Sequence, residues 1–194
     1  PLQMNDTSFS VPASKVDRFT SLYAYPGDLG RLIPEMKNKI PEDLLMIKID
    51  DRSFSPYLKP ATLFDGGSGL VSSAEDYLKF AQMLLNGGEL AGERVLSRKS
   101  VELMSSNLLP DRIKGSDDYI PGAGFGITVG VIEDPALLGQ YGSKGMYFWG
   151  GAAATFFWVD PKEELVAVVM TQLLASPWPM RETFNALVYQ AIDD

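Results

Sequence analysis

Cysteine and histidine are both absent from this chain of 194 residues. Without cysteine, the chain has no disulfide, no thiolate metal site and no cysteine nucleophile. Without histidine, it contains neither a Ser-His-Asp triad nor the imidazole ligands of the usual zinc enzymes. Any catalytic base within this chain must therefore be lysine, tyrosine, aspartate or glutamate.

Long hydrophobic runs and clusters of basic residues are also missing. The longest apolar runs, such as residues 165–170, are far too short to cross a bilayer, and no segment resembles a signal peptide. Lys plus Arg number 17 against 25 Asp plus Glu, a net charge of -8, which argues against a nucleic-acid partner. From the short apolar runs we expect a soluble protein. The acidic residues lack the spacing of a calcium loop, so we expect no metal, and we expect no other cofactor. The compartment stays open, because the first residues do not look like a native start and a targeting sequence can lie upstream.

The chain changes character near residue 60. Residues 1–60 are interrupted by prolines and have only short apolar stretches, which predicts a long wrapping segment. A loop of that length is uncommon inside a complete compact domain, so we expect it to pack on another part of the protein, including one not present here. Residues 61–194 then form the second unit. The prolines are Pro12, Pro26, Pro34, Pro41, Pro56 and Pro60.

Three helices are predicted in this second unit. The first begins at Ser72, which has capping-box spacing to Glu75, and ends at the Asn-Gly-Gly sequence at 86–88. A second, shorter helix starts at Ser97. The third covers residues 180–192, and its apolar face should lie on a sheet. The apolar face of the first helix contains Tyr77, Phe80, Ala81, Leu84 and Leu85, and that of the third contains Phe184, Leu187, Val188 and Ala191.

Three strands are predicted at residues 124–133, 147–159 and 165–171. Their order predicts a three-stranded antiparallel meander packed with the last helix, and hence an α+β fold. The turn between the second and third strands should be a solvated tip, because its charged residues are Asp160, Lys162, Glu163 and Glu164.

The segment Phe148-Trp-Gly-Gly-Ala-Ala-Ala-Thr155 carries the strongest functional signal. Two glycines and three alanines are poor sheet formers, so their position in a strand needs a reason. One reason is that a ligand approaches the backbone, whose N–H groups can stabilise the oxyanion of an acyl-transfer transition state. The alternative is that the small side chains admit the last helix close to the sheet.

This segment and Phe64-Asp-Gly-Gly-Ser-Gly-Leu-Val-Ser-Ser-Ala-Glu-Asp-Tyr-Leu-Lys-Phe-Ala-Gln82 resemble the β-lactamase-related serine hydrolases, especially their esterase-like branch. Residues 55–60, 121–126 and 170–172 fit the same family. The resemblance covers most of the chain after residue 55 and, more loosely, residues 4–23. It implies part of the β-lactamase/transpeptidase-like fold.

Members of that family carry a Ser-x-x-Lys motif with the nucleophile, a Tyr-x-Asn or Tyr-x-Ser motif, and a strand motif of Lys-Thr-Gly, His-x-Gly or Trp-Gly-Gly type. By resemblance, Trp149, Gly150 and Gly151 line the substrate cleft, and Ala152 supplies an N–H of the oxyanion hole. No serine of this chain is followed by lysine three residues later. The sequence Tyr141-Gly-Ser143 matches the second motif only formally, since the family places that motif far upstream, and we interpret it as a chance match.

The resemblance therefore implies that the nucleophile-bearing N-terminal part lies outside this chain, and that the chain alone is inactive. We expect partnership with that missing half, or self-association through an unpaired edge strand. Trp149 offers no charge to a β-lactam carboxylate, which favours small neutral esters or amides. Arg181 is a candidate for binding a substrate carboxylate, or else a solvated arginine beside Glu182. A β-lactamase or DD-peptidase activity and a non-catalytic binding module remain alternatives.

Overall fold

The computed structural model describes residues 1–26, 34, 45–117 and 119–193. It has the α+β fold that the sequence predicts, with five antiparallel strands that follow one another in both chain order and sheet order. Within the described ranges, no helix combines the length and apolar character needed to cross a membrane. The strands are β5 (Ala123–Phe125), β6 (Gly130–Ile132), β7 (Tyr147–Gly150), β8 (Phe156–Asp160) and β9 (Leu165–Val169).

The antiparallel arrangement is confirmed, but the sheet has five strands where the sequence predicted three. The predicted strands at 124–133 and 147–159 each contain a reversal of the chain, so each forms a hairpin. The reversals place Thr128 at φ 68° and Ala154 at φ 56°, both left-handed conformations. Neither segment has the Asn-Gly or Pro-Gly pair that usually marks a turn, and the apolar alternation continues on both sides.

Two helices cover the two faces of this sheet. The first predicted helix is α1 (Ala74–Leu85) and the third is α4 (Met180–Gln190). The cap of α1 is Ser73, whose hydroxyl accepts from the N–H of Asp76 at 3.3 Å, so the predicted cap at Ser72 is off by one residue. Ser72 instead shares a hydrogen bond of 2.7 Å with the hydroxyl of Thr7. The short helices are α2 (Arg98–Met104), as predicted from Ser97, and α3 (Pro135–Leu138).

Strand β8 divides the core into two layers because successive side chains point to opposite faces. Phe157 and Val159 pack with α1, whereas Phe156 and Trp158 pack with α4. The α1 layer also contains Ala81, Met83, Leu84, Val101, Val129, Val131 and Tyr147, and the α4 layer also contains Ile132, Met146, Ala167, Phe184, Val188 and Tyr189.

The inward face of α4 is more polar than its apolar periodicity indicates. Phe184 and Val188 lie on the sheet as predicted, but Leu187 is 57% exposed, and Ala191 is exposed at the C-cap. Asn185 is buried instead. Asn185 and Tyr189, four residues apart, therefore face the sheet. A hydrophobic pattern does not reveal that polar side chains belong to this face.

Residues 1–60 contribute strands to a second sheet. Strand β1 (Leu22–Ala24) lies between β2 (Ile47–Asp50), which is antiparallel to it, and β10 (Leu173–Leu174), which is parallel. This early segment is therefore hydrogen-bonded to the region that precedes α4. The predicted division at residue 60 stays a prediction, and part of the proline-rich segment lies outside the described residues. A small hairpin joins β3 (Glu89–Leu90) and β4 (Glu93–Arg94).

The turn after β8 is the solvated tip that its charged residues suggested, except at Asp160. Asp160 is fully buried, and its carboxylate accepts hydrogen bonds from the N–H groups of Ser143 and Lys162 at 3.0 and 3.1 Å. The phenol of Tyr189 in α4 donates a third at 2.6 Å. Lys162, Glu163 and Glu164 are all exposed, so the prediction is wrong for Asp160 alone.

Candidate active site

The predicted strand motif lies at the edge of an open cleft of about 490 Å³. Trp149 and Gly150 end β7, and Gly151 and Ala152 begin the turn that leads to β8. All four residues line the cleft, together with Arg181 from the first turn of α4. The structure thus brings the sequence-predicted site residues together. A cleft of this size is in the range of small-molecule sites.

Hydrogen bonds shape the turn and leave one N–H group free. The N–H of Gly151 donates to the carbonyl of Thr155 at 2.7 Å, and that of Ala154 donates to the carbonyl of Gly151 at 3.1 Å. The carbonyl of Ala153 accepts from the hydroxyl of Thr171 at 2.6 Å. The N–H of Ala152, by contrast, makes no hydrogen bond to any described residue, and Ala152 is exposed. A free, fixed donor of this kind suits an oxyanion-binding position.

The nearest neighbours of the two motif glycines belong to the hairpin itself. A Cβ on Gly151 would lie 2.4 Å from the hydroxyl oxygen of Thr155, and a Cβ on Gly150 would lie 3.3 Å from the carbonyl oxygen of the same residue. None of the close neighbours at these two positions belongs to α4. Close packing of α4 on the sheet, the alternative reason for glycine at these two positions, is therefore not found in the structure.

The aromatic residues around the motif differ in burial. Tyr147, Phe157 and Trp158 are buried core, as expected for rings on the two covered faces of a sheet. Trp149 is 49% exposed, and its ring packs edge-on against Phe125 at 5.4 Å. Trp149 therefore presents a half-exposed indole to the cleft while Phe125 supports it from one side.

Arg181 faces the cleft without an acidic partner. Its guanidinium lies 4.4 Å from the centre of the Phe148 ring, a cation–π contact. Among the described residues, none accepts a hydrogen bond or forms an ion pair with this guanidinium, and the adjacent Glu182 does not pair with it. The guanidinium edge is available for an anionic group.

The described lining of the cleft contains no lysine or tyrosine. Burial raises the pKa of the Tyr147 phenol, and burial together with the hydrogen bond to Asp160 raises the pKa of Tyr189. Both phenols stay protonated near neutral pH and sit in the core. In the formal Tyr-x-Ser match, Ser143 is buried beside Asp160 and Tyr141 stacks on Tyr189 at 6.4 Å, so neither contributes to the cleft.

Sequence reasoning missed further cleft residues, the largest of which are Trp178 and Met180. They lie just before and at the start of α4, where no periodic pattern marks them. Trp178 is flanked by Pro177 and Pro179. A tryptophan between two prolines is the one local signal that marks a fixed, solvent-facing ring.

The sequence profile of the family described as Beta-lactamase matches residues 1–190. The chain belongs to the β-lactamase family. Two relatives from Mycobacterium tuberculosis, Protein Rv1367c of strain H37Rv and Uncharacterized protein MT1414 of strain CDC 1551, are each 33% identical over 181 residues. In both cases the match covers 89% of this chain and 40% of the relative. This β-lactamase-family chain thus spans less than half the length of the curated relatives it matches.

Solved structures confirm the β-lactamase/transpeptidase-like fold. EstCE1, described as a hydrolase with promiscuous acyltransferase activity, superposes with a TM-score of 0.70 at 21% identity, covering 97% of this chain and 48% of that one. Unliganded simvastatin synthase (LovD) from Aspergillus terreus gives 0.71 at 21% identity, covering 100% and 48%. A penicillin-binding protein homolog from Caulobacter crescentus gives 0.51 at 14% identity, covering 87% and 43%. At these identities the likeness establishes the fold alone.

Proposed function

We propose that this chain supplies the oxyanion-binding strand and much of the substrate cleft of a serine hydrolase that acts on small neutral esters. The observation that carries the proposal is the unpaired, exposed N–H of Ala152 directly after the Trp-Gly-Gly strand end. A donor fixed at the position where an ester carbonyl becomes an oxyanion lowers the barrier by about 3 kcal/mol.

The nucleophile and its base come from residues outside this chain. Its 194 residues contain no Ser-x-x-Lys, and the matched relatives are more than twice its length, which leaves room for that motif. The serine oxygen attacks the ester carbonyl while the base takes its proton, and that proton then passes to the departing alcohol. Water subsequently cleaves the acyl-serine ester and releases a carboxylic acid. On this proposal the chain alone is inactive.

The substrate class follows from the charges in the cleft. Trp149 stands where other members of the family have lysine, so this position offers an apolar surface and no cation. An uncharged acyl group suits such a surface better than an anionic one.

A second candidate function is supported by Arg181. Its exposed guanidinium has no acidic partner among the described residues, so it can bind a substrate carboxylate. A β-lactam or a peptidoglycan peptide carries such a carboxylate. A β-lactamase or DD-peptidase activity would therefore use Arg181 for the charge that Trp149 does not provide.

Labelling of an activated serine tests the proposal. The longer protein that contains this chain is incubated with a fluorophosphonate, and its intact mass is measured; the 194-residue chain is the control. One adduct on the longer protein and none on the chain supports the proposal, and no adduct on either contradicts it. Turnover of p-nitrophenyl esters against turnover of nitrocefin then separates the two candidates. Ester binding without any adduct identifies a non-catalytic binding module.

A further inference from the structure

A second half-exposed tryptophan lines the same cleft as Trp149. Trp178 is 48% exposed, close to the 49% of Trp149, and it lies in the short connection between β10 and α4. Two half-exposed indoles that line one cleft offer an apolar surface on which a ligand can bind.

Two flanking prolines and a contact with the Tyr25 ring restrict the conformation of Trp178. Pro177 and Pro179 restrict the backbone on either side of it. The ring of Tyr25 packs edge-on against the indole at 6.2 Å. Tyr25 is itself fixed because its N–H donates to the carbonyl of Leu174 at 2.9 Å, an extension of the β1–β10 pairing. The indole is therefore preorganised, which lowers the entropy cost of binding.

The rest of the cleft lining is mostly apolar or small. Arg181 and Glu182 are its only charged groups among the described residues. The indole N–H groups of Trp149 and Trp178 form no hydrogen bond within the described part of the chain. The remaining lining includes Phe148, Phe156, Met180, Ala154 and Ala175.

We infer that Trp178 determines acyl specificity, forming with Trp149 a surface that binds the uncharged, apolar acyl group of an ester with about four carbons or more. This inference rests on the proposed function, since it takes the cleft to be the substrate site. An acetyl group fills little of a cleft of about 490 Å³, whereas a longer acyl chain covers more of the indole surface.

The three tryptophans of the chain provide the test, because each gives one indole N–H signal in a ¹⁵N-labelled sample. Trp158 is buried in the α4 layer and serves as the internal reference. On titration with methyl hexanoate, the signals of Trp149 and Trp178 should move while that of Trp158 stays. Methyl acetate should need a concentration about tenfold higher for the same shift, in line with the added apolar contact.

Variants then separate a role for Trp178 from a general effect on the fold. We expect W178A to weaken methyl hexanoate binding about 5–10-fold and W178F to retain most of the affinity. L187A removes an equally exposed side chain from the outer face of α4 and should change nothing. An unmoved Trp158 signal shows that each variant is folded. A stationary Trp178 signal, or unchanged affinity in W178A, overturns the inference.

The outcomes distinguish this inference from the proposed function. If esters bind through Trp178 but the longer protein takes up no fluorophosphonate, the hydrolase proposal fails and the acyl-binding surface stands. If the longer protein is labelled while W178A binds esters normally, the hydrolase proposal stands and the inference about Trp178 fails. Tighter binding of the hexanoate anion than of its methyl ester would assign recognition to Arg181 and overturn the inference.

Discussion

The phenol of Tyr189 donates a 2.6 Å hydrogen bond to the fully buried carboxylate of Asp160. The same carboxylate accepts from the backbone of Ser143 and from the hairpin turn after β8. One buried side chain thereby connects α4, the loop before β7 and the central hairpin. Because Arg181 lies on the same stripe of α4 two helical turns earlier, this contact also fixes the register in which α4 meets the cleft.

The first prediction concerns this contact. Y189F leaves Asp160 without its side-chain donor, and we expect a loss of about 1–3 kcal/mol in the free energy of unfolding. Urea unfolding at pH 7 measures it. Y141F is the matched control because that phenol is exposed. Equal stability of the two variants would contradict a structural role for the Tyr189–Asp160 bond.

The second prediction concerns the turn that presents the Ala152 N–H. G151A places a Cβ 2.4 Å from the hydroxyl oxygen of Thr155, so either that side chain rotates or the turn shifts, and we expect the turn to shift. We expect ester turnover by the longer protein to fall about 100-fold or more, the usual effect of losing an oxyanion donor. The added substitution T155A removes the clashing oxygen and should restore most of the activity. A double variant as inactive as G151A would show that the clash is not the cause.

The third prediction concerns acid stability. Hydrogen bonds from Arg18 and Lys15 lower the pKa of the Asp6 carboxyl from 3.8 to about 2. Since the folded-state pKa is the lower one, this contribution is present above pH 4 and is lost as the pH falls from about 4 to about 2. D6N should reduce stability at pH 7 and flatten the stability profile between those values. R18Q should do the same to a smaller extent, since Lys15 remains. Thermal unfolding across pH 2–7 is the measurement, and a D6N profile parallel to the unsubstituted one would contradict the assignment.

The fourth prediction concerns the edge of the central sheet. Among the described residues, β9 pairs only with β8, and the five residues of β9 are all apolar, without the lysine or proline that usually protects an edge. We expect the chain to self-associate, or to bind the N-terminal part of the longer protein, through this strand. Sedimentation at rising concentration and hydrogen exchange of the β9 amides measure it. A monomer at all concentrations with fast-exchanging β9 amides would count against it.

Features that depend on near neighbours in the sequence were predictable. The amphipathic spacing of α1 and its Asn-Gly-Gly end follow from local physics, and the structure has both. The Trp-Gly-Gly segment was predictable as a place where the backbone is exposed, but Gly151 and Ala152 lie in the turn after β7 and not in the middle of a strand. The hairpins inside 124–133 and 147–159 were missed because the apolar alternation continues on both sides of each turn, and the Gly150-Gly151 pair was assigned to the strand and not to the turn that Gly151 begins.

Features that depend on distant contacts were missed. Asp160 looked like a surface residue because its partners Ser143 and Tyr189 lie 17 and 29 positions away. Trp178 has no periodic neighbours, and the residue that supports it, Tyr25, belongs to the opposite end of the chain. The inward stripe of α4 was misjudged for a related reason: Asn185 is polar, and only the packed structure shows it buried.

The parallel pairing of β1 with β10 sets the order in which the cleft is assembled during protein synthesis. Tyr23 pairs with Leu173, so β1 leaves the ribosome long before its partner exists. At about 5–20 residues per second, translation of the intervening chain takes roughly 8–30 s. Throughout that interval the Trp178 indole that Tyr25 contacts has not been synthesised, so the part of the cleft lined by Trp178 is absent. A ribosome stalled anywhere before β10 therefore holds a nascent chain whose cleft lacks the side that contains Trp178.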